Sequence, residues 1–521
     1  MASPSPKLQA RERRAGRTPI REMKTLDGPT LRTASKGLGK PRLPDALTGR
    51  EALGAGALGR LAAKQTRDAE DGRGRRRLRA VVERATLGWT LGEQEAIEAM
   101  GMSAWLERQL DPESIDDLGL EDALEQAFPS IAMTPAQRLI TYYEDEETPL
   151  VELELATLYR AAYSPRQLLE RMVIFWTDHF NISLLSDFGI YLKPTDDRDV
   201  VRRHALGSFP ELLRASAGSP AMLSYLTNDS NVVGHPNENY ARELMELHTM
   251  GSDGGYTELD VKEVARCFTG WTWEYDDSPQ DFGEFIFESE LHDTGAKTVL
   301  GQTIPAGGGI EDGERVLDIL AAHPSTARFV ARKMLVYFWG YQPDDASVDR
   351  IAGIYLDTDG DIPSMVRGIF QGFKGSDPPP KLKRPFHLVV SAIRALFGEL
   401  DNPYLLVESL YLAGHLPFTW GPPNGFPDSE AYWSGFVLPR FNFAGTFLAG
   451  DEPSVLLDLP FLDPAESPEV LAFILDILLL DQGMGDDTRA AVTEYLSGPR
   501  DAETLADAIG LVIAGPEFQR Y

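Results

Sequence analysis

From Arg77 to the end of the chain, apolar residues return every three or four positions, the spacing that lays one face of an α-helix on a core. Leu78, Val81, Val82 and Ala85 begin the pattern. Helix start signals punctuate the rest of the chain. In Thr90–Leu91–Gly92–Glu93 and Ser164–Pro165–Arg166–Gln167 a hydroxyl can accept from the first free N–H groups while the Glu or Gln three residues on reaches back. Pro165 also suits the first helical position. Gly251, Gly254–Gly255 and Gly270 read as stops. The punctuation predicts helices over Met102–Leu110 and Pro210–Ala217, and at about 311–322, 325–339, 346–355, 362–373, 384–399 and 403–414. One region carries a β signal: Phe285–Ile286–Phe287 and Lys297–Thr298–Val299–Leu300 flank the turn residues His292–Asp293–Thr294–Gly295 and read as a hairpin. The expected fold is mainly α: a large multi-helix domain over residues 82–521 with a small β-ribbon insertion at about 283–304.

Charge divides the chain. Residues 1–80 carry 20 Lys and Arg against 8 Asp and Glu, whereas the remainder carries 30 against 72. The first segment is rich in Arg, Gly, Pro and Ser, lacks periodicity, and reads as a disordered basic arm. The acidic body argues against nucleic acid as its main partner. No apolar run is long enough to span a membrane. Neither Arg11–Glu12–Arg13–Arg14 nor Arg73–Gly74–Arg75–Arg76–Arg77 leads into an apolar core and small-residue cleavage site, so no secretory signal is visible and a cytoplasmic location is the expectation. Cys267 is the only cysteine, which excludes an intrachain disulfide and a cysteine-rich zinc site.

The densest chemistry lies in Pro236–His248, where a helix of about a dozen residues would carry Glu238, Arg242, Glu243 and Glu246 beside the apolar stripe Tyr240, Leu244 and Leu247. Arg242 can pair with Glu238 or Glu246, while Asn237 and Glu238 serve the helix N-terminus. Glu243 neighbours Glu246 and Asn239 with no evident partner on its own helix. Two carboxylates three apart can bridge a divalent cation, although the Glu-x-x-His spacing of carboxylate-rich bundles is absent. His179 shares a face with Met172, Phe175 and Trp176, which is the setting of a core histidine unless a carboxylate stands beside it. His292 lies in a turn where Asp293 can form an Asx-turn and Lys297 can answer a local charge. Together His179, Glu243, Glu246 and His292 have the ligand types of a mononuclear Zn²⁺ or Fe²⁺ site. Ser325 is the expected cap of the helix after His323–Pro324, and Arg328, Arg332 and Lys333 would pair with the acidic body. Trp420 and Trp433, in and beside the Gly421–Pro427 loop, either line a cleft or pin the loop.

Several longer strings are idiosyncratic: Phe175-Trp176-Thr177-Asp178-His179-Phe180, His204-Ala205-Leu206-Gly207-Ser208-Phe209, Ser219-Pro220-Ala221-Met222-Leu223, the Asn237–Gly251 helix, Thr269-Gly270-Trp271, His292–Lys297, His323–Arg328 and the Gly421–Pro427 loop with Trp433. In this order, over roughly 85–521, the chain resembles the bacterial family called domain of unknown function 1800. The resemblance implies no activity. It does imply export for many members, and a neighbouring sulfatase-like family, domain of unknown function 1501, as a partner. Two functions arise as expectations. One is a hydrolase or metal-dependent oxidoreductase in which Glu243 and Glu246 are ligands or general base, His179 and His292 are ligands or proton carriers, and Arg242 orients the carboxylates. The other is a non-catalytic helical scaffold that docks the sulfatase-like partner.

Overall fold

A computed structural model describes residues 72–275, 280–373, 378–448, 453–457 and 462–521. The basic arm expected over residues 1–80 lies outside the described residues as far as position 71. The rest is mainly helical, as the apolar spacing requires. Met102–Leu110 matches its sequence reading, and Phe209–Ala217, Glu311–Ala321, Pro324–Phe338, Asp345–Asp357, Ile362–Gly372, Pro385–Ala395 and Pro403–Leu412 fall within a few residues of theirs. The caps explain the agreement. Thr90 accepts from Glu93 N at 3.1 Å, and Thr257 and Asp260 form a reciprocal capping box. No described helix is long and apolar enough to cross a membrane.

The strands depart from the expected hairpin. Phe285–Phe287 does not pair with Lys297–Val299. It turns back to Trp271–Trp273 in antiparallel register, with Thr272 opposite Ile286. Lys297–Val299 makes its own tight ribbon with Gln302–Ile304. The turn between them is drawn inward at His292, whose ring is buried. A third short pair joins Glu399–Leu400 to Val455–Leu456.

One hydrophobic core runs from Val81 to Phe518, with Trp89, Trp105, Trp176 and Trp273 fully buried in it. Trp433 anchors a small satellite with Leu382 and Phe426. It is fully buried and donates from Nε1 to Pro427 O at 2.6 Å, so it pins the loop and lines no cleft.

That loop is the feature that positions the site. It crosses the C-terminal end of the Gln167–His179 helix. Asn181 Nδ2 donates to Trp420 O at 3.0 Å and to Pro422 O at 2.7 Å, and Leu184 N donates to Phe418 O at 2.8 Å. Gly425, at φ +70°, lies so close to the Asp178 main chain that a Cβ would overlap the Asp178 carbonyl. A Gly425→Ala substitution therefore meets both left-handed backbone strain and a backbone clash. We expect it to lower stability by at least about 2 kcal/mol in chemical denaturation; an unchanged midpoint would show that the close approach is absent.

Candidate functional site

The Pro236–His248 segment folds as an α-helix, Glu238–Glu243, that widens into a π-helix, Leu244–Thr249. Asn237 caps it, accepting from Asn239 N at 3.0 Å. Met250 N reaches back five residues to Met245 O at 2.9 Å, and the Thr249 hydroxyl donates to Leu244 O at 2.6 Å. The wider turn changes the faces. Tyr240, Ala241, Leu244, Met245, His248 and Thr249 are buried, whereas Leu247 leaves the expected stripe and is half-buried beside Glu246. Such π-turns recur at functional sites because they re-aim side chains.

Arg242 does not orient the Glu243–Glu246 pair by contact. It forms a fork with Glu258, both bonds 2.7 Å, and a further bond to Glu238 at 3.2 Å. Glu243 and Glu246 are left half-buried with no hydrogen bond or ion pair among the described residues. Burial raises the Glu243 carboxyl above its ordinary range, the neighbouring Glu246 charge raises it further, and Arg242 only partly offsets them. Two half-buried phenols sense the pair. Tyr225 is pushed up to about 12 by burial and Glu243, and its hydroxyl donates to Gly421 O. Tyr256 is raised by burial and Glu246. Tyr225 thus links the carboxylate pair to the pinned loop, feeling Glu243 while bonding to Gly421.

The two histidines expected to join this pair do not form one ligand set with it. His179 is buried and donates from Nε2 to the His248 carbonyl at 2.9 Å, which fixes its neutral tautomer and leaves Nδ1 without a partner. His292 belongs to another network. Its Nδ1 meets Thr269 O at 2.7 Å and its Nε2 meets Asp312 at 3.2 Å, while Lys297 meets the same Asp312 oxygen at 2.5 Å. Asp293 forms the expected Asx-turn to Gly295 N at 2.8 Å and pairs with Arg266 at 2.7 Å. Among the described residues no group of three or more His, Cys, Asp or Glu side chains is placed to hold a metal ion, so the Zn²⁺ or Fe²⁺ set His179, Glu243, Glu246 and His292 is not gathered. Asp312 supplies the reason: it lies on the Glu311–Ala321 helix and takes His292 inward.

Sequence reasoning passes over the charges beneath the loop. Asp178 pairs with Arg384, and Asp428 pairs with Lys381 at 2.7 Å and Arg384 at 3.6 Å. Burial outweighs Arg384 at Asp178 and raises it, whereas at Asp428 Lys381 and Arg384 overcome burial and lower it. The available signal is Lys381–Leu382–Lys383–Arg384 directly ahead of a Pro-started helix, where the dipole disfavours cations and buried carboxylates must compensate. On the neighbouring helix His323, not Ser325, is the cap, accepting from Ser325 N at 3.1 Å. Arg328 and Arg332 pair with Asp345, but Lys333 has no ion pair among the described residues. It lies 5.5 Å from the Phe329 ring centre, and burial pushes it down to about 8 against the pull of Asp178 and Asp428.

Four buried histidines are held neutral. Burial and Lys333 push His248 down to about 3 and His179 well below its usual value, and burial with nearby cations does the same at His387 and His415. An unfolded histidine titrates near about 6.5, so from there down toward about pH 3 the unfolded chain binds protons that the native chain refuses. Stability therefore falls as pH falls through that window, by up to about 1.4 kcal/mol per pH unit for each histidine. We expect His248→Gln to reduce the pH slope of the unfolding free energy by about one proton between about pH 4.5 and 6. An unaltered slope would mean His248 is protonated in the fold.

No curated protein and no solved structure matches the chain. The π-turn helix, the loop across His179 and the His292 turn all fall within a single family match covering residues 80–520, and the chain belongs to that family, described as protein of unknown function (DUF1800).

Proposed function

We propose that the chain is an acid–base enzyme of the hydrolase class, with Glu243 and Glu246 as its working pair. The observation that supports this is their isolation. The carboxylates around them, Glu238, Glu258 and Asp260, are answered by Arg242 or by N–H groups, yet these two lie together, half-buried and unanswered among the described residues. Such an arrangement costs stability and raises the proton affinity of Glu243. Glu243, whose carboxyl burial and the Glu246 charge raise, is the acid of the pair and delivers a proton to a leaving group. Glu246 is the base of the pair and removes one from water. Tyr225 and Asn181 hold the loop that borders them, and Arg242 moderates Glu243 through space. His179 and His292 enter this reading as packing residues. The expectation of a metal ligand set has no such support, and acid–base chemistry needs only the side chains the chain itself supplies.

The test is a panel of nitrophenyl esters, phosphates, sulfates and glycosides with wild type, Glu243→Gln and Glu246→Gln. We expect one class to be turned over and each variant to lose about 100-fold or more in kcat, with helicity and unfolding midpoint preserved. No turnover of any class, or equal turnover by the variants, would contradict the reading.

A specific surface favours the scaffold as second reading. Leu412, Val437, Leu438 and Phe441 project from two packed helices, Pro403–Leu412 and Val437–Thr446, with Leu438 69% exposed. Clustered exposed apolar side chains of this kind mark docking faces. A purified sulfatase-like protein of the domain of unknown function 1501 family is expected to form a complex that Leu438→Asp abolishes. Failure of the wild type to form one in size-exclusion chromatography would remove this reading.

A further inference from the structure

Beneath the loop lies a small cavity of about 10 Å³, about the least that admits one water-sized guest. Arg171, Lys381, Arg384, Tyr337, His387 and Tyr521 contribute to its wall, and no Asp or Glu side chain does. Lys381 and Arg384 have Asp428 and Asp178 behind them. Arg171 has neither. It is 2% exposed, its Nη1 meets His387 Nδ1 at 3.3 Å, and its guanidinium lies 4.4 Å from the Tyr337 ring centre. Among the described residues its Nε and Nη2 have no hydrogen-bond partner, and neither does His387 Nε2. A fourth cation, Arg84, lies 4.4 Å from the Tyr521 ring and gives its donors to the main-chain oxygens of Trp339, Pro379 and Tyr521. Arg171 and Arg84 thus lie buried with no ion pair to a carboxylate side chain among the described residues, although Asp428 acts on Arg171, and Glu83 on Arg84, through space. Burial alone would raise the Tyr521 phenol, yet Lys381, Arg171 and Arg84 hold it below its ordinary range.

An unpaired buried guanidinium is strongly unfavourable, and an anion beside it removes the penalty. The small volume favours a monatomic anion over phosphate, sulfate or a substrate carboxylate. We propose that this cavity is a binding site for a monatomic anion of the halide class, chloride being the physiological one, held by the unclaimed N–H groups of Arg171 and the field of Lys381 and Arg384. The site lies apart from Glu243 and does not depend on the catalytic reading. Its role is to hold together the helix, loop and chain end that meet there.

Two measurements test it. Crystals of the full chain grown in sodium bromide should show an anomalous peak in the cavity beside Arg171; a cavity holding only water overturns the proposal. Thermal unfolding in sodium chloride and in sodium gluconate at matched ionic strength should separate, with a saturable rise of about 2–4 °C in chloride alone. Arg171→Met should abolish that difference. An equal response of the wild type to both salts, or an undiminished chloride response in a folded Arg171→Met protein, overturns it; the bromide experiment needs no variant.

Discussion

The contact on which most of the architecture depends is the seating of the 417–428 loop on the end of the Gln167–His179 helix. Gly425 lets the two main chains touch, and the Asp178–Arg384 pair closes them from the side. Asp428, at the end of the loop, then meets Lys381, whose main chain exchanges hydrogen bonds with Tyr521 at 2.9 and 3.0 Å. Arg84, on the first described helix, donates to Tyr521 O at 2.9 Å. Segments more than 400 residues apart in sequence are thereby fastened to one small polar centre. Removing one partner from such a centre is costly, because it strands another charge in a medium of low dielectric.

The same chemistry separates committed charges from uncommitted ones. Arg242 is taken by Glu258 and Glu238, Arg266 by Asp293 and Glu263, and Lys297 by Asp312. These pairs fix packing. Against that background the Glu243–Glu246 pair stands out because, among the described residues, no cation forms an ion pair with it, and the adjacent Arg242 reaches Glu243 only through space. Burial explains a lone carboxyl elsewhere: Glu154 is wholly enclosed, and that enclosure raises its carboxyl well above the usual glutamate range. Glu243 and Glu246 are half-buried instead, and the proposed acid–base role rests on that combination of access and missing counter-charge.

Local features are legible in the sequence and distant pairings are not. Thr90 and Thr257 can be read because a cap and its partner lie three residues apart, whereas the cap read at Ser164 fails: its hydroxyl turns to Asp117, and the helix begins at Gln167 with no side-chain cap. The hairpin read into Phe285–Leu300 fails because the true partner of Phe285–Phe287 is Trp271–Trp273, and three-residue strands carry no alternation from which a partner can be chosen. The site shows the same division. The Glu238–Arg242 pair follows from helical spacing, and so does the absence of a partner for Glu243 on its own helix. His292 cannot be placed without Asp312, which arrives from another helix. The faces beyond Leu244 escape a helical reading because the period changes there from about 3.6 residues per turn to a wider π-turn. Arg171 does leave a trace, since it interrupts the apolar face formed by Leu168 and Phe175.

The most direct test of the central claim is a titration of the Glu243 carboxyl by isotope-edited NMR in the wild type and in Glu246→Gln. If the two carboxylates form an unanswered pair, Glu243 takes up its proton above the usual glutamate range and shifts downward when the neighbouring charge is removed. A Glu243 that titrates like a solvent-exposed glutamate and ignores the substitution would contradict the account.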